Sequence, residues 1–329
     1  KVSSEPVPNS PDQVDINFDM KEKPTGMINL GVGYGQVDGV ILSAGLTEDN
    51  VFGSGTNLTL QLNTSYYNRT AVLAHTDPYF TNDGVSRTTS LYYRTITPYS
   101  NNPGNYQVQT MGLGLNFGVP ISEFDRLFLG ANFERNTISL YDNSPLAYFQ
   151  YVADYGATTN TVILNTGWSK DTRDSAIAPT KGGFSRLKAD VGTANLQYYL
   201  LSAQQQYYLP ITRDYTLALN GMIDYGKSYG PNPYPIIKDV YAGGIGTVRG
   251  YSTNSLGPVD PVTGTYLGGS KRVVGNVQFY LPFPGTQQDR SLRWYLFADG
   301  GQVYGNDGYG NDQAINLSQL RYSAGIGLS

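Results

Sequence analysis

Val248-Arg249-Gly250-Tyr251 is the stretch of this chain whose residue types most constrain their surroundings. It lies in a Gly- and Pro-rich segment, with Gly243, Gly244 and Gly246 before it and Gly257-Pro258 after it. The chemistry on offer is that of a guanidinium, a planar fork of donors that grips a carboxylate through two bonds at once. An unpaired guanidinium in a closed site is strongly unfavourable. Two readings therefore stand open: a solvated loop arginine, or an arginine folded inward onto an acid. Asp299 is the acid that the surrounding pattern supplies, because it shares the polar face of its segment with Arg293. Gln278, on the polar face of the preceding segment, adds an amide oxygen.

Other chemistry finds little support. The chain has one His and no Cys, which removes disulfides, thiolate catalysis and cysteine-ligated metals. That His75 alternates with Ala71 and Leu73 beside Asp77-Pro78, the setting of an interfacial strand position. No Ser-His-Asp set, metal-ligand spacing or phosphate loop stands out. Gly31-Val32-Gly33-Tyr34-Gly35 departs from the dinucleotide fingerprint and sits on a strand. Neither enzyme activity, nor a cofactor, nor a metal is expected. The formal net charge of −4, without a Lys/Arg cluster, argues against nucleic acid as a partner.

The elements that must position Arg249 alternate. Leu58, Leu60 and Leu62 oppose Thr59, Gln61 and Asn63. Val273, Val277, Phe279 and Leu281 oppose Arg272, Asn276 and Gln278; Leu292, Trp294, Leu296 and Ala298 oppose Arg293, Tyr295 and Asp299. Such period-two segments recur between turn signals. They predict strands near 25–34, 39–48, 56–63, 70–77, 85–96, 106–118, 124–138, 160–169, 183–192, 197–209, 213–226, 271–281, 292–302 and 319–329. Alternation alone leaves both a soluble sandwich and a membrane barrel open. Composition and connection lengths favour the barrel. Charged residues make up only 15%, with 39 Gly and 28 Tyr, and no apolar run is long enough for a spanning helix. Tight turns at 119–122 and 209–212 fall on one side. Longer connections at 97–105, 139–159, 227–270 and 303–318 fall on the other, as in bacterial outer-membrane barrels. The long 170–182 connection on the short-turn side is the exception. Tyr66-Tyr67 and Tyr198-Tyr199 fall near strand ends, where one ring of each pair suits an interfacial girdle.

Several motifs, in order along nearly the whole chain, resemble the Omp85 superfamily of outer-membrane assembly proteins. Val248-Arg249-Gly250-Tyr251 resembles its conserved loop motif, and Phe297-Ala298-Asp299-Gly300-Gly301 its acidic strand motif. Asp77-Pro78-Tyr79-Phe80 is similar to an early turn, as are Asp171-Thr172-Arg173-Asp174 with Pro179-Thr180-Lys181-Gly182. Ser10-Pro11-Asp12-Gln13-Val14-Asp15, followed by Lys21-Glu22-Lys23, is similar to the junction between the last POTRA domain and the barrel. The resemblance implies a POTRA end and linker over 1–24 and a transmembrane antiparallel barrel over 25–329, with 227–270 folded inward. It implies that Arg249 contacts Asp299 inside the barrel. Where the family commonly offers a Glu this chain has Gln278, leaving one carboxylate as the main partner.

Barrels of this kind have sixteen strands, so about two are expected beyond the fourteen predicted, and the chain is read as shortened and, with polar Lys1-Val2-Ser3-Ser4, as a mature exported form. The implied role is insertion and folding of other barrels in the bacterial outer membrane through a weak first strand. Its residues Ile28, Asn29, Leu30, Gly31, Val32 and Gly33 form the seam. Implied partners are unfolded outer-membrane protein clients, accessory outer-membrane lipoproteins, periplasmic chaperones, membrane lipid and lipopolysaccharide. A passive porin, another assembly factor or secretion transporter of the superfamily, and a soluble β-rich binding protein are the alternatives.

Overall fold

The computed structural model of the chain describes residues 2–6, 14–18, 24–35, 39–97, 106–283, 292–305 and 312–328. Junction residues 10–13 and 21–23 lie outside these. A small antiparallel hairpin comes first, β1 (Val2–Pro6) with β2 (Val14–Phe18). β2 falls within the 1–24 stretch that the resemblance assigns to a POTRA end and linker. β1 was not foreseen.

Fourteen strands then form one antiparallel sheet in which every strand pairs with its sequence neighbours. They are β3 (Gly26–Gly35), β4 (Gly39–Glu48), β5 (Asn57–Thr64), β6 (Asn68–Asp77), β7 (Ser86–Ile96), β8 (Tyr106–Pro120) and β9 (Asp125–Leu140). After helix α1 (Leu146–Tyr155) follow β10 (Thr158–Asp171), β11 (Gly182–Ala194), β12 (Tyr198–Pro210), β13 (Thr216–Ser228), β14 (Lys271–Pro282), β15 (Arg293–Tyr304) and β16 (Arg321–Leu328). Each corresponds to a predicted segment, with ends moved by a few residues. β3 and β16 are the two ends of the hydrogen-bonded order. Pairing of 25–34 with 319–329, which a fourteen-strand closure requires, is not found among the described residues.

Which face is apolar decides between sandwich and barrel. Leu113, Leu164, Leu201, Ile223 and Leu296 each expose about half their surface, on the outside of the sheet. Their register partners are apolar or small too: Leu113 lies opposite Leu91 and Phe133, and Leu296 opposite Phe279 and Ile326. A soluble sandwich buries that face; a membrane barrel turns it to lipid. The inner face carries the polar set, such as Gln204, Asn220 and Asn276, linked side chain to side chain. The fold is an all-β transmembrane antiparallel barrel.

Connection lengths are less clean than the sequence reading held. At the loop end, 65–67 and 195–197 are as tight as any turn at the opposite end. The asymmetry rests on 141–157, 229–270 and 305–320. The first is no simple loop, because α1 fills it and buries Tyr148 and Tyr151. Tyr198-Tyr199 divides as a girdle pair should: Tyr198 is buried against Tyr234, and Tyr199 packs beside Tyr225 on the other face.

The long 172–181 turn has its own reason. Pro179 is buried, and its carbonyl accepts from Arg293 Nη1 at 3.1 Å. Arg293 stands on β15, four strands from β11 in the sheet order, so the turn crosses the lumen at its turn end. Asp174 stiffens it by accepting from the Thr180 amide at 2.8 Å and the Lys181 amide at 3.2 Å. Partial burial works to raise the Asp174 carboxyl, but the bonds from Thr180 and Lys181 outweigh it and hold it below the usual carboxylate value. A depressed carboxyl stabilises above its unfolded pKa of about 4 and ceases to do so as pH falls through the lower folded value. Exchange protection of the Thr180 and Lys181 amides is therefore expected to be full at neutral pH and to fade in acid below about pH 4. In Asp174→Asn that protection is weaker at neutral pH and lacks the acid step.

Candidate functional site: a loop latch inside the barrel

The connection between β13 and β14 folds into the barrel and builds its own small cores there. Val248 is fully buried with Ala242, Leu256, Val274 and Val303. Leu267 is buried with Tyr106, Ala147 and Tyr148, which joins the loop to α1 and to the outer end of β8. A buried loop must satisfy its backbone groups, and this one largely pairs with itself and the wall. Val240 and Gly269 exchange both backbone bonds, and the Leu256 amide donates to Ala242 O at 3.0 Å. Gly243 makes the tight course possible. Its φ is 108°, and a Cβ there would lie 2.5 Å from Ser252 O. Only glycine tolerates both conditions.

Each residue of 248–251 meets the wall made by β14, β15 and β16. Val248 needs room, and Gly301 supplies it: a Cβ on Gly301 would lie 2.8 Å from Val248 Cγ2. Arg249 donates from Nε to Asp299 Oδ2 at 2.7 Å and from Nη2 to Asp299 Oδ1 at 2.6 Å. Its backbone N–H also donates to Asp299 Oδ2, at 3.0 Å. The guanidinium carbon sits 3.9 Å from the centre of the Phe297 ring, a cation–π contact on the same strand. Gly250 has φ 84° and passes close to Ser323 of β16. Tyr251 Oη donates to Tyr322 O at 3.3 Å, also on β16. The motif thus binds an end strand of the sheet as well as the acid.

Gln278 completes the guanidinium shell. In the amide orientation that satisfies both of its ends, its oxygen accepts from Arg249 Nη1 and Nη2 at 2.9 Å each, and its nitrogen faces Tyr280 Oη at 2.5 Å. Asp299 is therefore the one carboxylate, and a neutral amide takes the remaining donors. Burial opposes the charge on Arg249, but the hydrogen bonds and charge of Asp299 outweigh it and raise its pKa further. The guanidinium stays charged at any physiological pH. The arrangement holds a loop; it offers no group poised for proton transfer.

Three further ties were not identified from sequence. Lys238, early in the loop, donates to Glu134 Oε2 on β9 at 2.5 Å, and Tyr92 on β7 donates to Glu134 Oε1 at 2.8 Å. Arg272 donates from Nη1 to Tyr241 O at 2.8 Å while its Nε is held by Asp224 at 2.7 Å. Asn276 Nδ2 also donates to Thr247 O, at 2.6 Å. The loop is pinned at its start, near its middle and beside Arg249. Alternation placed Arg272 and Asn276 on a polar face, but nothing in sequence paired them with particular loop groups, and Glu134 and Asp224 were not singled out.

The seam residues lie apart from this latch. Ile28, Asn29, Leu30, Gly31, Val32 and Gly33 all belong to β3, which pairs with β4. Leu30 and Val32 are each 81% exposed, the level expected of a lipid-facing end strand.

An inward-folded loop held to the wall by the Arg249–Asp299 pair and by further ties, in an antiparallel barrel with apolar exterior, defines an outer-membrane β-barrel with an internal latch. The family model described as "Omp85 superfamily domain" matches residues 50–329, and the chain belongs to that superfamily. It is 33% identical over 355 aligned residues to the outer membrane protein assembly factor BamA of Neisseria meningitidis, covering 97% of this chain and 44% of that protein. It is 24% identical to BamA of Nitratidesulfovibrio vulgaris, covering 92% of this chain and 38% of that protein. Among solved structures, BamA from Haemophilus ducreyi lacking POTRA domains 1–3 superposes with a TM-score of 0.85 at 25% identity, covering all of this chain and 68% of that one. The chain spans less than half the length of the curated relatives named here.

Proposed function

We propose that this barrel is the membrane part of an outer-membrane protein assembly factor. It would insert and fold other β-barrel proteins through the edge of β3, without catalysis. The observation that carries the reading is the position of β3 at the end of the sheet order, hydrogen-bonded along one edge to β4. A strand cannot enter hydrocarbon with its N–H and C=O groups unpaired. An end strand that offers backbone partners solves that problem by β-augmentation. Gly26, Gly31, Gly33 and Gly35 weaken β3 by removing side-chain contacts and by their backbone entropy. A weak strand lets a client displace its closing partner. The latch supports the same reading from the other end of the sheet, since Gly250 and Tyr251 meet β16. It fixes the β16 end of the sheet while β3, at the other end of the order, remains free to exchange. The inward loop also favours this reading over a passive channel, whose conductance needs an open lumen.

Clients on this reading are unfolded outer-membrane proteins. Accessory lipoproteins and periplasmic chaperones would deliver them. A photoreactive side chain placed at Asn29 should cross-link to a client stalled during insertion into liposomes. The same group at Ser185 on β11, far from the seam in the sheet order, should not. Equal cross-linking at both positions would exclude β3 as the template.

A further inference from the structure

The outer face carries an unbalanced charge pattern that the assembly reading does not use. Register assigns the outward set on each strand. On β6 it runs His75, Leu73, Ala71, then Arg69, because Ala71 opposes Leu62 and Tyr93. On β9 it runs Leu127, Leu129, Ala131, Phe133, then Arg135, and on β13 Leu217, Leu219, Ile223, Tyr225, then Lys227. In each strand the lipid-facing run ends, toward the loop end, on a basic residue. Arg69, Arg135 and Lys227 are all exposed. Among the described residues none of the three takes part in an ion pair.

The turn end is different. There the outward positions include Glu48, Asp77 and Asp125, so its basic residues have acids near them in register. Lys170 lies 3.6 Å from Asp125, and Arg87 opposes Asp77. Among the described outward strand positions, cations with no acid paired with or opposite them thus fall at the end that meets the outer leaflet. Long basic side chains at such a depth reach along apolar surface to the headgroup level, and guanidinium matches phosphate bidentately.

One of these residues caps a groove. Small side chains at Ala44 and Ala71 leave a depression of about 570 Å³ on the outer face between β3 and β7. Leu30, Val32, Leu62 and Tyr93 wall it, and Arg69 lines its loop end. The groove is open, apolar and aligned under a free cation, the shape of an acyl chain below a phosphate.

We propose that this groove is a binding site for a phosphorylated glycolipid of the outer leaflet, with one acyl chain over Ala44 and Ala71 and a headgroup phosphate on Arg69. Arg135 and Lys227 extend the same belt around the barrel. Because Leu30 and Val32 form one wall, the bound lipid covers part of the outer face of the end strand. The headgroup sets the specificity. The groove itself accepts any chain.

The test is lipid retention by the purified chain, read by native mass spectrometry in detergent, with bisphosphorylated lipid A, its dephosphorylated form and phosphatidylglycerol as probes. The wild-type chain is expected to retain bisphosphorylated lipid A about tenfold better than the dephosphorylated form, a difference of one good charged contact. Arg69→Ala should remove that preference, Arg69→Lys should keep part of it, and Arg87→Ala at the turn end should leave it unchanged. Ala71→Phe fills the groove while leaving Arg69 in place, and should lower retention of both lipid A forms. Equal retention of the two forms by the wild type, or an unchanged preference in Arg69→Ala, would overturn the site. Preferential retention of phosphatidylglycerol over lipid A would overturn the assignment to a glycolipid. None of these readouts depends on client folding, so they stand or fall separately from the assembly reading.

Discussion

Asp299→Ala is expected to lower the unfolding free energy of the barrel by about 3 kcal/mol and to open residues 229–270 to protease. The size follows from what is left behind. The Asp299 side chain is fully buried and that of Arg249 is 11% exposed. Removing the acid strands a guanidinium that keeps the Gln278 amide oxygen and the Phe297 and Tyr295 rings but no charged partner. Breaking a buried pair from one side costs far more than the net worth of the pair, because the remaining charge is uncompensated. Arg249→Ala should act alike, since it leaves a carboxylate with no charged partner. Arg249→Lys keeps the charge but cannot reproduce the two-bond fork, so a smaller loss is expected. The decisive comparison is the Arg249→Asp, Asp299→Arg double variant. Urea unfolding in bilayers should show it recovering part of either single loss, and no recovery at all would argue against direct pairing.

The second large effect lies at the other anchor. Glu134→Ala should cost about 2–3 kcal/mol by the same physics, since it leaves Lys238 without its acid and Tyr92 without its acceptor. Here an apolar repair is available. Replacing both members, Glu134→Leu with Lys238→Met, removes the stranded charge and keeps volume. The double variant should recover most of the loss, because well-packed apolar pairs rival buried ion pairs. If it proves no more stable than Glu134→Ala, the salt bridge is not the source of the effect. Proteolysis of the loop separates the two anchors: loss at Glu134 exposes residues near 238, and loss at Asp299 exposes residues near 249.

The sheet was legible because its code is local. Alternation such as Leu58, Leu60 and Leu62 against Thr59, Gln61 and Asn63 fixes the strand and which residues share a face, and, once composition and connection lengths favoured a barrel, it turned Asp299 and Gln278 inward. The pairing of Arg249 with Asp299 was half legible. Physics required a partner for a buried guanidinium, and the motif resemblance selected which one. Glu134 with Lys238 was not legible. Lys238 sits in an irregular segment whose path depends on how the whole loop packs. Helix α1 was missed although Tyr148, Tyr151, Val152 and Tyr155 follow helical spacing, because a long connection between strands invited reading it as coil. The crossing of the 172–181 turn to Arg293 was hidden for a different reason. It joins β15 to a turn four strands away, and no local pattern encodes that distance. Gly301 was seen as part of an acidic motif, but its role as the seat of Val248 needed coordinates.

The account joins a latch to an assembly function, and one measurement addresses both. Liposomes containing the purified chain are mixed with an unfolded, unrelated outer-membrane barrel, and its folding rate is followed. The wild-type chain should speed folding several-fold over empty liposomes, and Arg249→Ala, inserted to the same level, should lose most of that gain. Equal rates with the wild type and Arg249→Ala, or no gain from the wild type, would contradict the account.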